Sequence, residues 1–105
     1  MREHVSTVIE REHYLSKDLS LCVNEQNIDF VVANYDSHIR SFCFTSYDEL
    51  DMYKNVEFEL RLIVNGWNAI SVSGKGKLEP DKIQFANLDK NRKAMYRYVI
   101  KFKKH

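Results

Sequence analysis

The chain has 105 residues, a formal net charge of +1 at pH 7, 30% charged residues and a single proline. That length supports one modest hydrophobic core and not two, and the mixture of aromatic and charged side chains excludes a disordered or fibrous chain. No apolar run approaches the roughly 20 residues of a membrane span, and the start, MREHVSTVIEREHY, is too polar for a secretory signal, so a cytoplasmic protein without membrane insertion is expected.

Residues 2–17 place Val5, Val8, Ile9 and Leu15 on one side of a weakly amphipathic helix. This gives a helical extension over 1–17, ahead of a barrel over 19–102 in one domain. Leu19–Val23 reads as a first strand, closed by the polar turn Asn24–Asn27. Phe30–Ala33 follows as a second strand leading into the polar segment Asn34–Ser37. A third, Ser41–Thr45, puts Phe42 and Phe44 on one face and Cys43 on the other. Ser46-Tyr47-Asp48-Glu49 has the form of a capping box and predicts one or two helical turns ending near Lys54-Asn55.

The clearest strand signal is Val56-Glu57-Phe58-Glu59-Leu60-Arg61-Leu62, which alternates apolar and charged residues. Asn65-Gly66 is a hairpin signal, and Ile70 and Val72 alternate with serines on the way back. A plain two-residue loop would set Leu60 opposite Ser71. A loop longer by one residue, with Gly66 left-handed, sets Leu60 opposite Ile70 and Phe58 opposite Val72, and is the expected register. Gly74 and Gly76 then continue the inward face. Leu78–Asp81 reads as a turn around Pro80, Lys82–Ala86 as a strand burying Ile83 and Phe85, and 87–94 as a loop. Tyr96–Phe102 alternates again as the closing strand, and the final Lys103-Lys104-His105 is expected to fray. Six or seven short strands without βαβ alternation predict a mainly β protein, a small antiparallel barrel.

Charge is unevenly spread. Residues 1–74 carry six Lys/Arg against twelve Asp/Glu, and residues 75–105 carry ten against three. Such a split marks either a basic patch for phosphates or two halves that neutralise each other across the sheet. Arg97 and Lys101 interleave with Tyr96, Tyr98 and Phe102, a pattern that small barrels use for nucleic acid and that half-buried strands also have. Trp67, beside the hairpin tip, either caps the barrel or anchors a protein interface. Cys22 and Cys43 read as buried free thiols. The two cysteines and four scattered histidines lack zinc-site spacing, and no nucleophile–base pair is defensible, so an enzyme is not expected.

The pieces FVVANYDSHIRSFCF, SYDELDMYKNVEFELRL, ISVSGKGKL and YRYVIKF, in that order, resemble the PilZ domain, a small six-stranded bacterial barrel whose familiar members bind cyclic diguanylate. The resemblance covers roughly residues 19–102 and lies in pattern and spacing. It implies a regulatory barrel acting on a ligand or a protein partner. Members that bind the nucleotide carry an R-x-x-x-R segment before the first strand, whereas the same region here reads REHYLSK, with His13 and Lys17 as the nearest cationic pair. The family's polar D/N-x-S-x-x-G segment is also incomplete, since Asn34-Tyr35-Asp36 is followed by Ile39 where the glycine should fall. A degenerate PilZ-like module acting through protein contact, without cofactor, is therefore expected. Arg11, Lys17, Asn34, Asp36, Ser37 and Arg40 are the candidate ligand residues if cyclic diguanylate is bound, and Trp67, Arg97 and Lys101 the candidate interaction residues.

Overall fold

The computed structural model describes residues 6–36 and 41–102. Its strands are β1 (Ser6–Glu10), β2 (Leu19–Val23), β3 (Gln26–Asn27), β4 (Phe30–Asp36), β5 (Ser41–Ser46), β6 (Lys54–Val64), β7 (Trp67–Pro80), β8 (Ala86–Leu88) and β9 (Ala94–Phe102). They form one antiparallel sheet in the order β1-β4-β5-β9-β7-β6-β2-β3, with β8 paired to β9. The sheet curls through a half-barrel and stays open. The mainly β, antiparallel expectation holds in that form.

Alternation builds the core. Leu19, Leu21 and Val23 of β2, Phe42 and Phe44 of β5, Val56, Phe58, Leu60 and Leu62 of β6, Leu78 of β7 and Tyr98 and Ile100 of β9 all point inward and are buried. Phe42 stacks on Phe58 at 5.0 Å between ring centroids, Phe44 tilts against Tyr98 at 5.4 Å, and Phe102 meets Phe58 edge-on at 5.1 Å. Each such ring contributes on the order of 1.5–3 kcal/mol through burial, so this aromatic column is the main support of the curl.

Several local expectations are corrected. The segment predicted as a helix over 2–17 contains β1, which pairs with β4 from Ser6↔Asp36 to Glu10↔Val32, followed by a single 3₁₀ turn over Arg11–His13. Ile9 is buried and Val8 is 58% exposed, the alternation of a strand. A short isolated helix has little stability of its own, whereas the free edge of β4 offers a ladder. Residues 2–5 of that predicted helix lie outside the described residues, as do Ser37, His38, Ile39 and Arg40 and the tail 103–105.

The capping-box helix is absent too, because Ser46 is the last residue of β5 and its hydroxyl is engaged there. It donates to the Asp29 carbonyl at 2.7 Å and accepts from the Asp48 amide at 3.0 Å, fully buried. The Asp48 carboxylate accepts the Asp29 amide at 3.1 Å. These bonds tie the start of the 47–53 connection to the start of β4. Ser46→Ala is expected to lower stability by about 1–3 kcal/mol, seen as a lower urea midpoint at unchanged slope.

The central hairpin keeps the predicted faces by another route. Asn65 (φ 52) and Gly66 (φ 80) are both left-handed, so the loop is the two-residue kind that twists with its strands. Val64 pairs with Trp67 and Ile63 with Asn68, then Leu62 with Ile70. Ala69 is the extra residue, a bulge on β7. The register is therefore Leu60↔Val72 and Phe58↔Gly74, two residues from the expected one and with the same faces inward.

Beyond the hairpin, β7 runs through the predicted turn to Pro80. Proline is tolerated there because β6 already ends opposite Leu78, at Lys54, so no ladder bond on that side is lost. The turn starts at Asp81, whose Oδ1 accepts the amides of Ile83 (2.8 Å) and Gln84 (3.2 Å). That turn leaves Ile83 97% exposed instead of buried, and places Phe85 against Tyr96 and Tyr98 at 5.5 and 5.7 Å. The strand predicted over 82–86 is displaced to β8, within the predicted loop.

Candidate functional site

Among the described residues, the candidate ligand residues do not come together. Arg11 sits in the 3₁₀ turn, where its Nη1 donates to the Tyr14 and Leu15 carbonyls at 3.4 and 3.3 Å and its guanidinium lies 6.0 Å from the Phe30 ring centre. Lys17 is exposed in the following turn. Asn34 and Asp36 lie further along β4, opposite Val8 and Ser6, while the Arg11 end of the ladder is Glu10↔Val32. At about 3.4 Å per residue, Asp36 is roughly 14 Å of strand away from Val32. Ser37 and Arg40 lie outside the described residues.

Arg11 does line a cleft of about 510 Å³, with Glu10, Glu12, Asp29, Phe30 and Tyr47 around it. Three carboxylates share the cleft lining with one guanidinium, a net negative lining that disfavours a phosphate diester. Glu10 and Glu12 also flank His13, at 3.2 and 3.9 Å from its Nε2. On the far wall the Tyr47 hydroxyl donates to Asp89 Oδ2 at 3.0 Å, which raises the phenol's pKa. Lys93 Nζ stands 4.3 Å from the same ring's centre.

Among the described residues, three cations of the basic C-terminal third are matched by carboxylates. Lys75 pairs with Glu57 at 3.3 Å, Lys101 with Glu79 at 3.5 Å, and Arg97 Nε with Asp81 Oδ2 at 2.9 Å. This last contact is a charge pair, since Nε makes no hydrogen bond. Among the described residues, only the Lys75–Glu57 pair joins the acidic and basic parts of the chain; the other two lie within the C-terminal third. Lys77 stands directly opposite Lys101, an unfavourable pairing that Glu79 relieves from the next position.

Asp81 holds its carboxyl below the ordinary 3.8, first through the Ile83 amide, against a smaller opposing effect of burial, with the Gln84 amide and Arg97 adding to the lowering. A lowered folded-state pKa stabilises the fold above the unfolded value. That contribution is lost as pH falls from about 4 through the lowered value. Asp81→Asn is expected to remove part of the acid-side loss, measured as a flatter dependence of thermal midpoint on pH below 4. Cys43, half-buried beside Arg97, has its thiol pKa raised mainly by burial. Cys22 and Cys43 are both free thiols and both only partly buried.

Trp67 is 78% exposed at the end of the β6–β7 arm, with Val64 beside it 44% exposed. It does not cap the barrel. Among the described residues, β2 covers β6 from Phe58 to Leu62 and β9 covers β7 from Gly76 to Pro80, and the arm continues past both. Sequence reading missed how far the arm extends. The signal was length, since a strand of 14 residues pairs with a closing strand of 9 that also serves β8. Ile83, Leu15, Tyr53, Val8 and Leu88 are further large apolar side chains left in solvent.

No protein-family profile, no characterised protein and no solved structure matches the chain.

Proposed function

We propose that the chain is a non-enzymatic, PilZ-like regulatory module that has lost standard cyclic diguanylate recognition and works through protein contact. The observation that carries this reading is Trp67, 78% exposed on a projecting arm. A tryptophan held in water on a rigid hairpin is the side chain most suited to anchor a protein interface. The loss of nucleotide recognition is supported by Arg11, whose Nη1 is bonded to the Tyr14 and Leu15 carbonyls in a cleft lined by three carboxylates.

Calorimetric titration with cyclic diguanylate is expected to give no binding heat, and micromolar or tighter binding overturns the loss. For the contact surface, proteins captured from the host by the wild-type chain are expected to be released by Trp67→Ala, a truncation that costs an interface anchor about 2 kcal/mol or more. Capture of the same proteins with equal affinity by both chains removes Trp67 from that role.

A further inference from the structure

The cleft beside Arg11 forms where both neighbours of β4 break step with it. β1 ends at Glu10, opposite Val32, and passes into the 3₁₀ turn, so the β4 residues before Val32 have no partner in β1. On the β5 side Val31 is the extra residue between the pairs Phe30↔Ser46 and Val32↔Thr45, and such a bulge bends its strand and re-aims side chains. The resulting space, about 510 Å³, is lined by the half-buried Val31 and Val32 and by the exposed Glu10, Glu12 and Asp29. Segments outside the described residues join the sheet at Ser6, Asp36, Ser41 and Phe102. Those four positions lie at the opposite end of the ladders from Glu10↔Val32 and Phe30↔Ser46.

The charge of this cleft is not neutralised from within. Among the described residues Glu10 and Glu12 pair only with His13, at 3.2 and 3.9 Å, and the Asp29 carboxylate pairs with no cation. The Asp29 backbone, by contrast, is held at both ends, its amide by the Asp48 carboxylate and its carbonyl by the Ser46 hydroxyl, which fixes where its side chain starts. Arg11 is the one cation of the lining. Its guanidinium is turned to the Tyr14 and Leu15 carbonyls and to the Phe30 ring. At Tyr47 the ring faces Lys93 while the hydroxyl bonds Asp89, a balanced pair. Both aromatic rings therefore already lie against cations, and three carboxylates remain for a cation from outside.

We propose that this cleft takes an arginine side chain from a basic segment of the partner protein. The inference rests on the protein-contact reading above and adds the chemistry of the partner. A guanidinium is planar and carries five donors in a fixed fork, so it bonds two carboxylates at once, and its three-carbon stem has Val31 and Val32 to lie along. An acidic segment or a nucleic acid meets instead a net charge of −2, from three carboxylates and one guanidinium, and is repelled. Trp67 does not line the cleft, so the two surfaces are tested separately.

Titration of the full chain at low salt with the end-capped peptide Gly-Arg-Val-Arg-Gly, followed by backbone amide chemical shifts, tests this. Saturable shifts are expected at residues 10–12, 29–32 and 47. Citrulline in place of both arginines keeps their shape and removes their charge, and is expected to bind at least about tenfold more weakly. Glu12→Gln with Asp29→Asn is expected to weaken the arginine peptide about fivefold. Glu57→Gln with Glu59→Gln removes the same charge from β6, outside the cleft, and is expected to leave the affinity unchanged. All four replacements are isosteric, and circular dichroism confirms that each variant keeps its sheet. No saturation at about 10 mM peptide, equal affinity for the citrulline form, or equal losses in the two double variants overturns the proposal. Failure of the peptide while Trp67→Ala still releases host proteins removes the cleft from this role and leaves the protein-contact reading standing. Peptide binding without any Trp67-dependent capture supports the cleft and removes Trp67 as the anchor.

Discussion

Tyr98→Phe is expected to lower stability by about 1–3 kcal/mol through the loss of one oxygen atom. Tyr98 is fully buried in β9, and its hydroxyl ties residues 48–50 to that strand. It donates to the Asp48 carbonyl at 3.0 Å and accepts from the Leu50 amide at 2.8 Å. Phenylalanine preserves the ring packing against Phe44 and Phe85 while stranding both backbone groups, and a stranded group costs more than a net hydrogen bond contributes. Tyr98→Ala removes the ring as well and is expected to cost about 3–5 kcal/mol. Urea melts at constant slope measure both.

The same phenol has an alkaline signature. Burial raises its pKa above the ordinary 10.0, with the Leu50 amide opposing. A raised folded-state value means that the stabilisation is complete below pH 10 and is lost as pH rises through the folded value. Wild type is expected to lose stability above pH 10 more steeply than Tyr98→Phe. Equal slopes would show that the hydroxyl does not carry the alkaline loss.

Gly76→Ala is the second large effect. A Cβ at Gly76 would run into the Lys101 carbonyl of β9 and lie 2.9 Å from Ile100 Cγ2. The obstacle is mainly backbone, so β7 and β9 must separate, at an expected cost of about 3 kcal/mol. Gly74→Ala is the contrast, because its nearest neighbours are ring carbons of Phe102 and Phe58 at 3.1 and 3.2 Å, and Phe102 stands at the strand end where it can tilt. The expected cost there is below about 1.5 kcal/mol. Comparable losses in the two variants would contradict the assigned closeness of β7 to β9.

Strands were legible where side chains alternate against a dominant core. β2, β5, β6 and the run Tyr96–Phe102 follow from alternation alone, because burying one face overrides local preference. Sequence reasoning failed where a local motif competed with a distant partner. Ser46 and Glu49 spell a helix cap, yet the Ser46 hydroxyl finds the Asp29 carbonyl, 17 residues away in the chain. Residues 6–10 have a helix-compatible pattern, yet β4 offers them a ladder. The hairpin register needed the position of a bulge at Ala69, and nothing in Asn68-Ala69-Ile70 marks it. The described members of the candidate ligand set lie apart because a residue's place in the sequence says nothing about where Arg11 turns its guanidinium. Trp67 was legible as either a cap or an anchor, and only the lengths of the neighbouring strands leave it in water.

Residue-resolved amide exchange along β7 tests the exposed arm most directly. Glu57 is bonded on the β2 side, so odd-numbered β6 residues and the residues they face, Ser71 among them, turn their amides out of the β6–β7 ladder. The Ser71 amide is expected to exchange rapidly while those of Ile70 and Val72 are protected. Uniform protection along 70–72 would contradict an arm that extends past its neighbouring strands.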